Sequence, residues 1–242
     1  MYNSQYFKET SSTNFLMKEI LLSEKHEEGF MIYTDFQTAG KGQGLNTWES
    51  EFGKNLLFSI VLYPQHIHPS SQFVISQIAS LAICDVLSEI CDNVKIKWPN
   101  DIYVDDKKIA GILIENVLQG KSINRTVIGI GLNVNQKNFV SDAPNPVSLM
   151  QITGKRINRL KLMEKIREKI TELYNIDDYD KIKSEYFRCL YRNNGFYPYS
   201  TGVTNFEARI TDVLDDGRIL LKLSDGNENL YGFKEVEFII NS

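Results

Sequence analysis

The spacing of apolar residues divides the chain into predicted strands and helices. Strands are expected where apolar residues alternate with polar ones or run together, and helices where apolar residues recur at every third or fourth position. This pattern predicts strands at 6–7, 30–36, 55–62, 94–98, 102–104, 109–114, 126–134, 206–213, 219–223 and 236–240. It predicts a helix that starts near 10–14 and three more at 71–91, 160–174 and 179–190.

The segment 95–115, KIKWPNDIYVDDKKIAGILIE, is predicted to form a β-hairpin with an interruption. Pro99 has no N–H to donate, so the first strand should break there and leave Asn100 and Asp101 exposed. Lys108 lies where the return strand starts. An amide, a carboxylate and an amine so close together suit a charged ligand, although a polar turn that serves only solubility is an equal alternative on the pattern alone.

A turn-rich segment, RNNGFYPYST at 192–201, separates two kinds of pattern. Strands and long helices precede it, whereas only short strands follow, separated by Asp-Gly turns as in a small barrel. We therefore predict two domains, 1–192 and 193–242. The first is expected to be a mixed α/β domain and the second a small β domain.

Composition narrows the classes of function. The 242 residues carry a formal net charge of −4 and have no dense Lys/Arg run, so nucleic-acid binding is not expected. No apolar segment approaches the ~20 residues of a membrane span, and no signal-peptide pattern is present, so we expect a cytoplasmic location. Cys84, Cys91 and Cys189 form no CxxC pair and are expected to be reduced.

Three glycines, Gly40, Gly42 and Gly44, lie between two predicted strands. A dinucleotide-binding fold would need a helix directly after them, and a strand follows instead. A loop that closes over a ligand fits better, because glycines allow close backbone approach and Lys41 could neutralise a phosphate. A merely flexible connection is the alternative.

Five motifs in this order are more specific than any one of them. They are SSTN from Ser11, FQTAGKGQ followed by Trp48, KWPND, KKIAGILIE and GIGLNVNQ, which ends at Gln136. Together they resemble the biotin protein ligases (biotin–[acetyl-CoA-carboxylase] ligases), and the small C-terminal β domain is similar as well. The resemblance implies a catalytic domain similar to class II aminoacyl-tRNA synthetases, followed by an SH3-like barrel.

The resemblance also implies a two-step reaction. Biotin and ATP, with Mg²⁺, would give biotinyl-5′-adenylate and pyrophosphate. A lysine of a biotin carboxyl carrier protein, or of a biotin-dependent carboxylase domain, would then attack the adenylate. No metal ligands are assigned to the protein, because phosphates would hold most of the Mg²⁺ coordination sphere.

Individual residues acquire expected roles from the same resemblance. Lys108, Asp101 and Lys41 are expected to be catalytic, with Asp101 receiving the carrier lysine and Trp98 forming an apolar wall beside biotin. Ser12 is expected both to cap a helix and to contact biotin. The implied biotin contacts are Ser12, Thr13, Asn14, Gln37, Gly40, Lys41, Gly42, Gln43, Trp98, Lys108 and Gly111. The implied ATP contacts are Lys41, Trp48, Asn100, Lys108, Gly131 and Asn133.

The chain departs from the commonest family pattern at two places. The usual loop is GRGRxGRxW, whereas here Lys41 and Gln43 replace two arginines, and Gly44-Leu45 stands where an arginine and a glycine are more usual. Gln43 carries no charge, so we expect this loop to hold the adenylate less tightly. SSTN begins at Ser11, which leaves no room for an N-terminal DNA-binding domain, so a ligase without repressor function is expected. The sequence leaves open whether the protein forms a homodimer.

Two rival functions belong to other groups of proteins. Lipoate or octanoate ligases have a related domain, but they resemble one another in an Arg-rich, triple-Gly loop with a histidine, and 37–48 contains no histidine. A non-catalytic sensor of the adenylate would not need the set Lys41, Asn100, Asp101 and Lys108. A purely structural protein would leave all five motifs unexplained.

Overall fold

A seven-stranded mixed sheet forms the centre of the larger unit. The structure is a computed structural model that describes residues 3–44, 46–140 and 145–240. The strands are β1 Ser4–Phe7, β2 Met31–Thr34, β3 Leu56–Leu62, β4 Val94–Lys97, β5 Asp101–Val104, β6 Lys107–Gln119 and β7 Ser122–Leu132. Their order is β1-β2-β3-β7-β6-β5-β4, with β1 parallel to β2 and the other pairs antiparallel.

Helices cover both faces of this sheet, because strand side chains point alternately to either side. Alternate residues of β3, Ile60 and Val61, belong to two different apolar clusters. The smaller cluster packs under Met17 of the first helix, and the larger one lies under the other helices. The helices are α1 Thr13–Ser23, α2 Phe73–Ser88, α3 Leu149–Thr153, α4 Arg159–Tyr174 and α5 Tyr179–Cys189.

Helix α2 is buried almost all round rather than on one face. Thirteen of its sixteen residues are buried, because α2 packs against the sheet on one side and against α4 and α5 on the other. With the short turn before it, the segment Pro69–Ser88 is long and apolar enough to cross a membrane, and 72% of it is buried inside the protein. The expectation that no apolar segment approaches this length is therefore wrong, although such burial is typical of a core helix.

The C-terminal unit is a five-stranded antiparallel sheet with order β11-β10-β9-β8-β12. Its strands are β8 Tyr197–Ser200, β9 Asn205–Val213, β10 Ile219–Leu223, β11 Glu228–Tyr231 and β12 Glu237–Phe238. The predicted class, a mixed α/β unit followed by a small β unit, is confirmed. The boundary between 192 and 193 stays a prediction.

Three short elements were not predicted. β8 contains Pro198 within a turn-rich segment, and β11 is a polar edge strand, so neither has the apolar alternation that predicts strands. Helix α3 is only five residues long and depends on a capping box between Ser148 and Gln151. Residues 141–144, which precede this helix, lie outside the described residues, as does Leu45 of the glycine-rich segment.

The C-terminal unit is attached at the end of the hairpin formed by β4 and β5. The Trp98 indole N–H donates to the Gly217 carbonyl at 2.8 Å, and Arg192 donates to the Ile239 carbonyl at 2.8 Å. Cys84, Cys91 and Cys189 are free, and their reduced state stays a prediction.

Candidate functional site

A cleft of about 1030 Å³ opens between the central sheet, the start of α1, the glycine-rich segment 37–48 and the C-terminal unit. Its volume is at the upper end of the range for small-molecule sites, about 300–1,000 Å³. Of the predicted site residues only Gly40 is absent from its lining. The others are Ser12, Thr13, Asn14, Gln37, Lys41, Gly42, Gln43, Trp48, Trp98, Asn100, Asp101, Lys108, Gly111, Gly131 and Asn133.

The start of α1 and Gln37 form one closed end of the cleft. The Thr13 backbone N–H and hydroxyl both donate to Gln37 Oε1, at 2.8 and 3.2 Å. Ser12 occupies the N-cap position and is 5% exposed, but its side chain makes no capping hydrogen bond. The expected Ser12 cap is therefore wrong, because the Gln37 carbonyl takes the place of the capping oxygen.

Asn14 is held by the protein on every side. Its amide nitrogen donates to the Leu113 carbonyl at 3.2 Å and to Glu115 Oε2 at 2.8 Å. Its oxygen accepts a hydrogen bond from the Ser59 hydroxyl at 2.7 Å. The side chain also fills the space beside Gly129, where a Cβ would collide with the amide. Asn14 therefore anchors α1 to the sheet, and its implied contact with biotin stays a prediction.

Trp48 forms an aromatic wall of the cleft over two glycines. Gly111 and Gly131 are paired in the register of β6 and β7. A Cβ on Gly131 would lie 2.5 Å from the Trp48 ring, and one on Gly111 would lie 3.0 Å from it. A side chain on Gly131 would require the indole to move, and one on Gly111 would make an unusually tight contact with it. Gly40 supports the same residue, because a Cβ there would lie 2.7 Å from the Trp48 carbonyl.

Trp98 lines the cleft but also contacts the C-terminal unit, and its expected role as a biotin wall stays a prediction. It is 3% exposed, donates its indole N–H to Gly217, and has its ring centre 6.5 Å from that of Phe233. Its main contacts therefore join the hairpin to the C-terminal unit. The sequence contains two tryptophans near the site, and the local pattern alone does not distinguish their roles.

Lys108 and Asp101 form an ion pair at the centre of the cleft. The Nζ to Oδ1 distance is 2.7 Å, and the side chains are 27% and 19% exposed. The backbone of Lys108 is fixed by hydrogen bonds with Asn145 and Val147. The Asn100 amide donates to the Ile112 carbonyl at 2.5 Å. Asn100 and Asp101 are therefore partly buried, and the expectation that Pro99 leaves them exposed is wrong because the hairpin folds back over them.

Lys97 is a site residue that the sequence analysis missed. It pairs with Asp101 in the register of β4 and β5 and lines the cleft. Its Nζ lies 5.4 Å from the centre of the Tyr103 ring and 5.1 Å from that of Phe238. Burial lowers the pKa of the Lys97 ammonium below its usual value. Its place inside KWPND was the available signal, but a lysine alternating with apolar residues is usually solvated.

Gln136 is a second residue whose role the sequence did not indicate, although it ends one of the motifs. Its oxygen accepts from the Glu51 N–H at 2.9 Å and from Asn55 at 2.6 Å. Its nitrogen donates to Glu49 Oε1 at 3.1 Å. Gln136 therefore fastens the chain after Trp48 to the end of β7.

The open end of the cleft holds polar groups that have no protein partner. Among the described residues, Gln43 Oε1, Trp48 Nε1 and Asn133 Oδ1 are buried without a hydrogen bond. No ion pair in the described part of the chain includes Lys41, Lys97 or Lys234, which line the same cleft. Buried polar groups are normally satisfied, so this set is typical of a site that is completed by a ligand.

The family model for the biotin/lipoate A/B protein ligases matches residues 6–133, which include every predicted site residue. The chain belongs to the biotin/lipoate A/B protein ligase family. The match starts within β1 and ends just after β7, so it covers the seven-stranded sheet except for Ser4 and Gln5 of β1.

Relatives within the family match different shares of the chain. The bifunctional ligase/repressor BirA of Bacillus subtilis is 28% identical over 235 residues, which cover 87% of this chain and 67% of that protein. The biotin–protein ligase of Homo sapiens is 34% identical over 137 residues, covering 53% of this chain and 18% of the human protein.

Solved structures have the same fold. The biotin protein ligase from Aquifex aeolicus in complex with biotin and ATP superposes with a TM-score of 0.80 at 24% identity, covering all of both chains. The Leishmania major biotin protein ligase in complex with biotinyl-5-AMP gives a TM-score of 0.68 at 20% identity, covering 96% of this chain and 99% of that one. Both confirm the predicted fold, including the small C-terminal unit.

Proposed function

We propose that the protein is a biotin protein ligase, which activates biotin with ATP and transfers it to a lysine of a biotin carboxyl carrier domain. The observation that carries the proposal is a single cleft with a neutral polar end at Thr13 and Gln37, and a cationic end around Lys108. Biotin has a neutral ureido head and a carboxylate tail, and the carboxylate must meet ATP. The three free cysteines support a cytoplasmic location.

The closed end suits the ureido group, which has two N–H donors and one carbonyl acceptor. Thr13 and Gln37 hold each other in place at 2.8 Å before any ligand binds, and the Ser12 hydroxyl beside them is not used for capping. Such fixed dipoles recognise a neutral polar group without reorganisation. The Trp48 indole, which packs on Gly111 and Gly131, contacts the apolar part of the ligand.

In the first step, a biotin carboxylate oxygen attacks the α-phosphorus of ATP. The bond from that phosphorus to the bridging oxygen breaks, and pyrophosphate leaves with the bonding electrons. Lys108 stabilises the negative charge on the α-phosphate oxygens, and Lys41 of the glycine-rich segment assists. Asp101 keeps the Lys108 ammonium in the cleft at 2.7 Å until the substrates arrive.

In the second step, the ε-amine of the carrier lysine attacks the carbonyl carbon of the adenylate, and AMP leaves. A free lysine has a pKa of ~10.4 and is almost entirely protonated near neutral pH, so its ammonium must be bound and its proton released. When Lys108 turns to the phosphate, Asp101 loses its partner and can bind that ammonium. The Lys108–Asp101 ion pair thus keeps in the cleft the carboxylate that the second step needs.

Mg²⁺ fits the open end of the cleft. Asn133 Oδ1 is buried without a hydrogen bond, and a neutral amide oxygen is a ligand that Mg²⁺ accepts. Asn133 is the residue that we expect to contact the ion, with Asn100 nearby on the same lining. When bound, the ion supplies charge neutralisation for the phosphates. Asn133 itself orients the triphosphate toward Lys108.

Lipoate is the strongest competitor as substrate, since the family includes lipoate ligases. The closed end argues against it. A dithiolane ring has no hydrogen-bonding group for the Ser12 hydroxyl or for the amide of Gln37, and burying unmatched polar groups costs about 1–3 kcal/mol each.

Intact-mass analysis of a carrier domain tests the proposal. The protein is incubated with MgATP, a biotin-acceptor domain, and equal amounts of biotin and lipoate. We expect an ATP-dependent gain of one biotinyl group on the acceptor. A lipoyl gain would identify lipoate, and not biotin, as the substrate. Biotinyl-adenylate without transfer to any carrier would indicate a protein that binds the adenylate and is not a ligase.

A further inference from the structure

A tight turn between β11 and β12 brings Lys234 to the mouth of the cleft. The Glu235 carboxylate accepts a hydrogen bond from the Gly232 N–H at 2.5 Å, and the Glu235 N–H donates to the Gly232 carbonyl at 3.2 Å. Within this turn Lys234 has φ +66°. A non-glycine residue in this left-handed region costs roughly 1–2 kcal/mol, and such strain concentrates at functional sites.

The Lys234 side chain reaches the glycine-rich segment at Gly44. A Cβ built on Gly44 would lie 2.5 Å from Lys234 Nζ and 3.2 Å from its Cε. The ammonium therefore occupies the space where any other residue at position 44 would place its side chain. This contact joins the C-terminal unit to the segment that also carries Lys41 and Gln43.

The charge on Lys234 is not neutralised by the protein. No carboxylate in the described ranges lies within ion-pair distance of it, and its one aromatic contact is the Phe233 ring at 5.8 Å. The adjacent Glu235 is instead engaged with Gly232 in the turn. Lys234 thus presents an unpaired ammonium to a cleft in which Lys108 already has Asp101 as a partner.

We propose that Lys234 supplies, from the C-terminal unit, a phosphate-binding positive charge that the glycine-rich segment lacks at Gln43. The ligand group is the triphosphate of ATP, so this inference rests on the proposed function. Gly44 has no side chain in the space that the Lys234 ammonium occupies, and the uncharged Gln43 does not repel that ammonium. The strained turn holds the ammonium at the cleft at a cost that phosphate binding explains.

Calorimetry with a non-hydrolysable ATP analogue, in the presence of saturating biotin, measures this role without requiring catalysis. We expect Lys234→Met to weaken binding of the analogue roughly 5- to 10-fold, and the loss to shrink at high salt because the interaction is between charges near the surface. Lys121→Met is the matched control. Lys121 follows Gly120 in the β6–β7 turn, lies outside the cleft lining, and its variant should bind like the wild type.

Two further variants separate charge from strain. Lys234→Gly relieves the left-handed backbone and should be at least as stable as Lys234→Met, yet it should bind the analogue as weakly. Adding Gln43→Arg to Lys234→Met should recover most of the affinity, because it returns a cation to the same phosphates from the other side. A turn that served only packing would give neither result.

The inference is overturned if Lys234→Met binds the analogue like the wild type, or if Gln43→Arg fails to restore binding. A wild type that binds the analogue but forms no biotinyl-adenylate when given biotin and MgATP would instead refute the ligase function. In that case the binding comparison still decides the role of Lys234.

Discussion

The two ends of the cleft differ in how completely the protein satisfies their polar groups. At the closed end, buried Thr13 and Asn14 and half-buried Gln37 form hydrogen bonds with protein groups at 2.7–3.2 Å. At the open end, the ammonium groups form no ion pair with a carboxylate of the described residues, and buried polar atoms have no hydrogen-bond partner there. The closed end comprises Thr13, Asn14 and Gln37; the open end comprises Lys41, Gln43, Trp48, Lys97, Asn133 and Lys234.

This difference matches the chemistry of the two proposed ligands. A neutral ureido head is recognised best by dipoles that are already oriented, whereas a triphosphate supplies the charge that unpaired lysines need. The closed end should therefore contribute to folding stability. The open end should cost stability and contribute to binding instead, as functional sites commonly do.

The largest effect should come from Lys108, which is paired with Asp101 at the centre of the cleft. We expect Lys108→Ala to slow biotinyl-adenylate formation roughly 1000-fold, because one positioned cation or donor to developing charge is worth about 10²–10³. Single-turnover measurement of adenylate formation checks this. Lys107→Ala, at the exposed neighbouring position, is the control and should be near wild type. A loss below tenfold for Lys108→Ala would contradict its assigned role.

Asp101 should affect mainly the second step. With Asp101→Asn, transfer of biotin from preformed adenylate to the carrier domain should slow roughly 100-fold, because the variant no longer binds and orients the lysine ammonium. Adenylate formation should slow much less. Separate measurement of the two steps checks this split, and an equal loss in both would mean that Asp101 acts only by positioning Lys108.

Asn14 tests the stability assigned to the closed end. Asn14→Ala removes hydrogen bonds to Leu113, Glu115 and Ser59, so the free energy of unfolding should fall by about 2 kcal/mol. Urea denaturation measures it. Asn229→Ala, which loses one exposed 3.4 Å contact, should stay within about 0.5 kcal/mol. If Asn14→Ala were as stable as the wild type but bound biotin weakly, Asn14 would be a direct biotin contact and not an anchor of α1.

Trp98 distinguishes an inter-unit contact from a biotin wall. Trp98→Phe keeps most of the ring but loses the hydrogen bond to Gly217, which should lower the free energy of unfolding by about 1 kcal/mol. Biotin affinity, measured by calorimetry, should change less than about twofold. A tenfold loss of biotin affinity without a lower free energy of unfolding would show that Trp98 forms the apolar wall beside biotin.

Lys97 should give the smallest change, and in the opposite direction. Burial lowers its folded-state pKa, so between that pKa and the unfolded value near ~10.4 the unfolded chain binds more protons, and stability rises with pH. At neutral pH the buried charge costs stability. Lys97→Met should therefore raise the free energy of unfolding by at most about 1 kcal/mol, with the gain vanishing in alkali. Denaturation at several pH values checks the sign; destabilisation at neutral pH would contradict it.

How much of the site the sequence predicts depends on the distance between partners along the chain. The hairpin with Asp101 and Lys108 is local, and alternation, Pro99 and the polar turn are enough to place it. Asn14 has partners 99 and 101 residues away, so its anchoring role is invisible in its own helix. The surroundings of the two tryptophans are hidden for the same reason, since Trp48 packs on Gly131 and Trp98 donates to the Gly217 carbonyl.

The salt dependence of two binding reactions tests the contrast between the ends most directly. Calorimetry would compare biotinamide, which is neutral, with a non-hydrolysable ATP analogue at about 0.05 M and about 0.5 M NaCl, where screening lengths differ about threefold. We predict that the Kd of biotinamide is unchanged, whereas that of the ATP analogue rises several-fold. Equal salt responses for the two ligands, or no binding of biotinamide, would contradict the account.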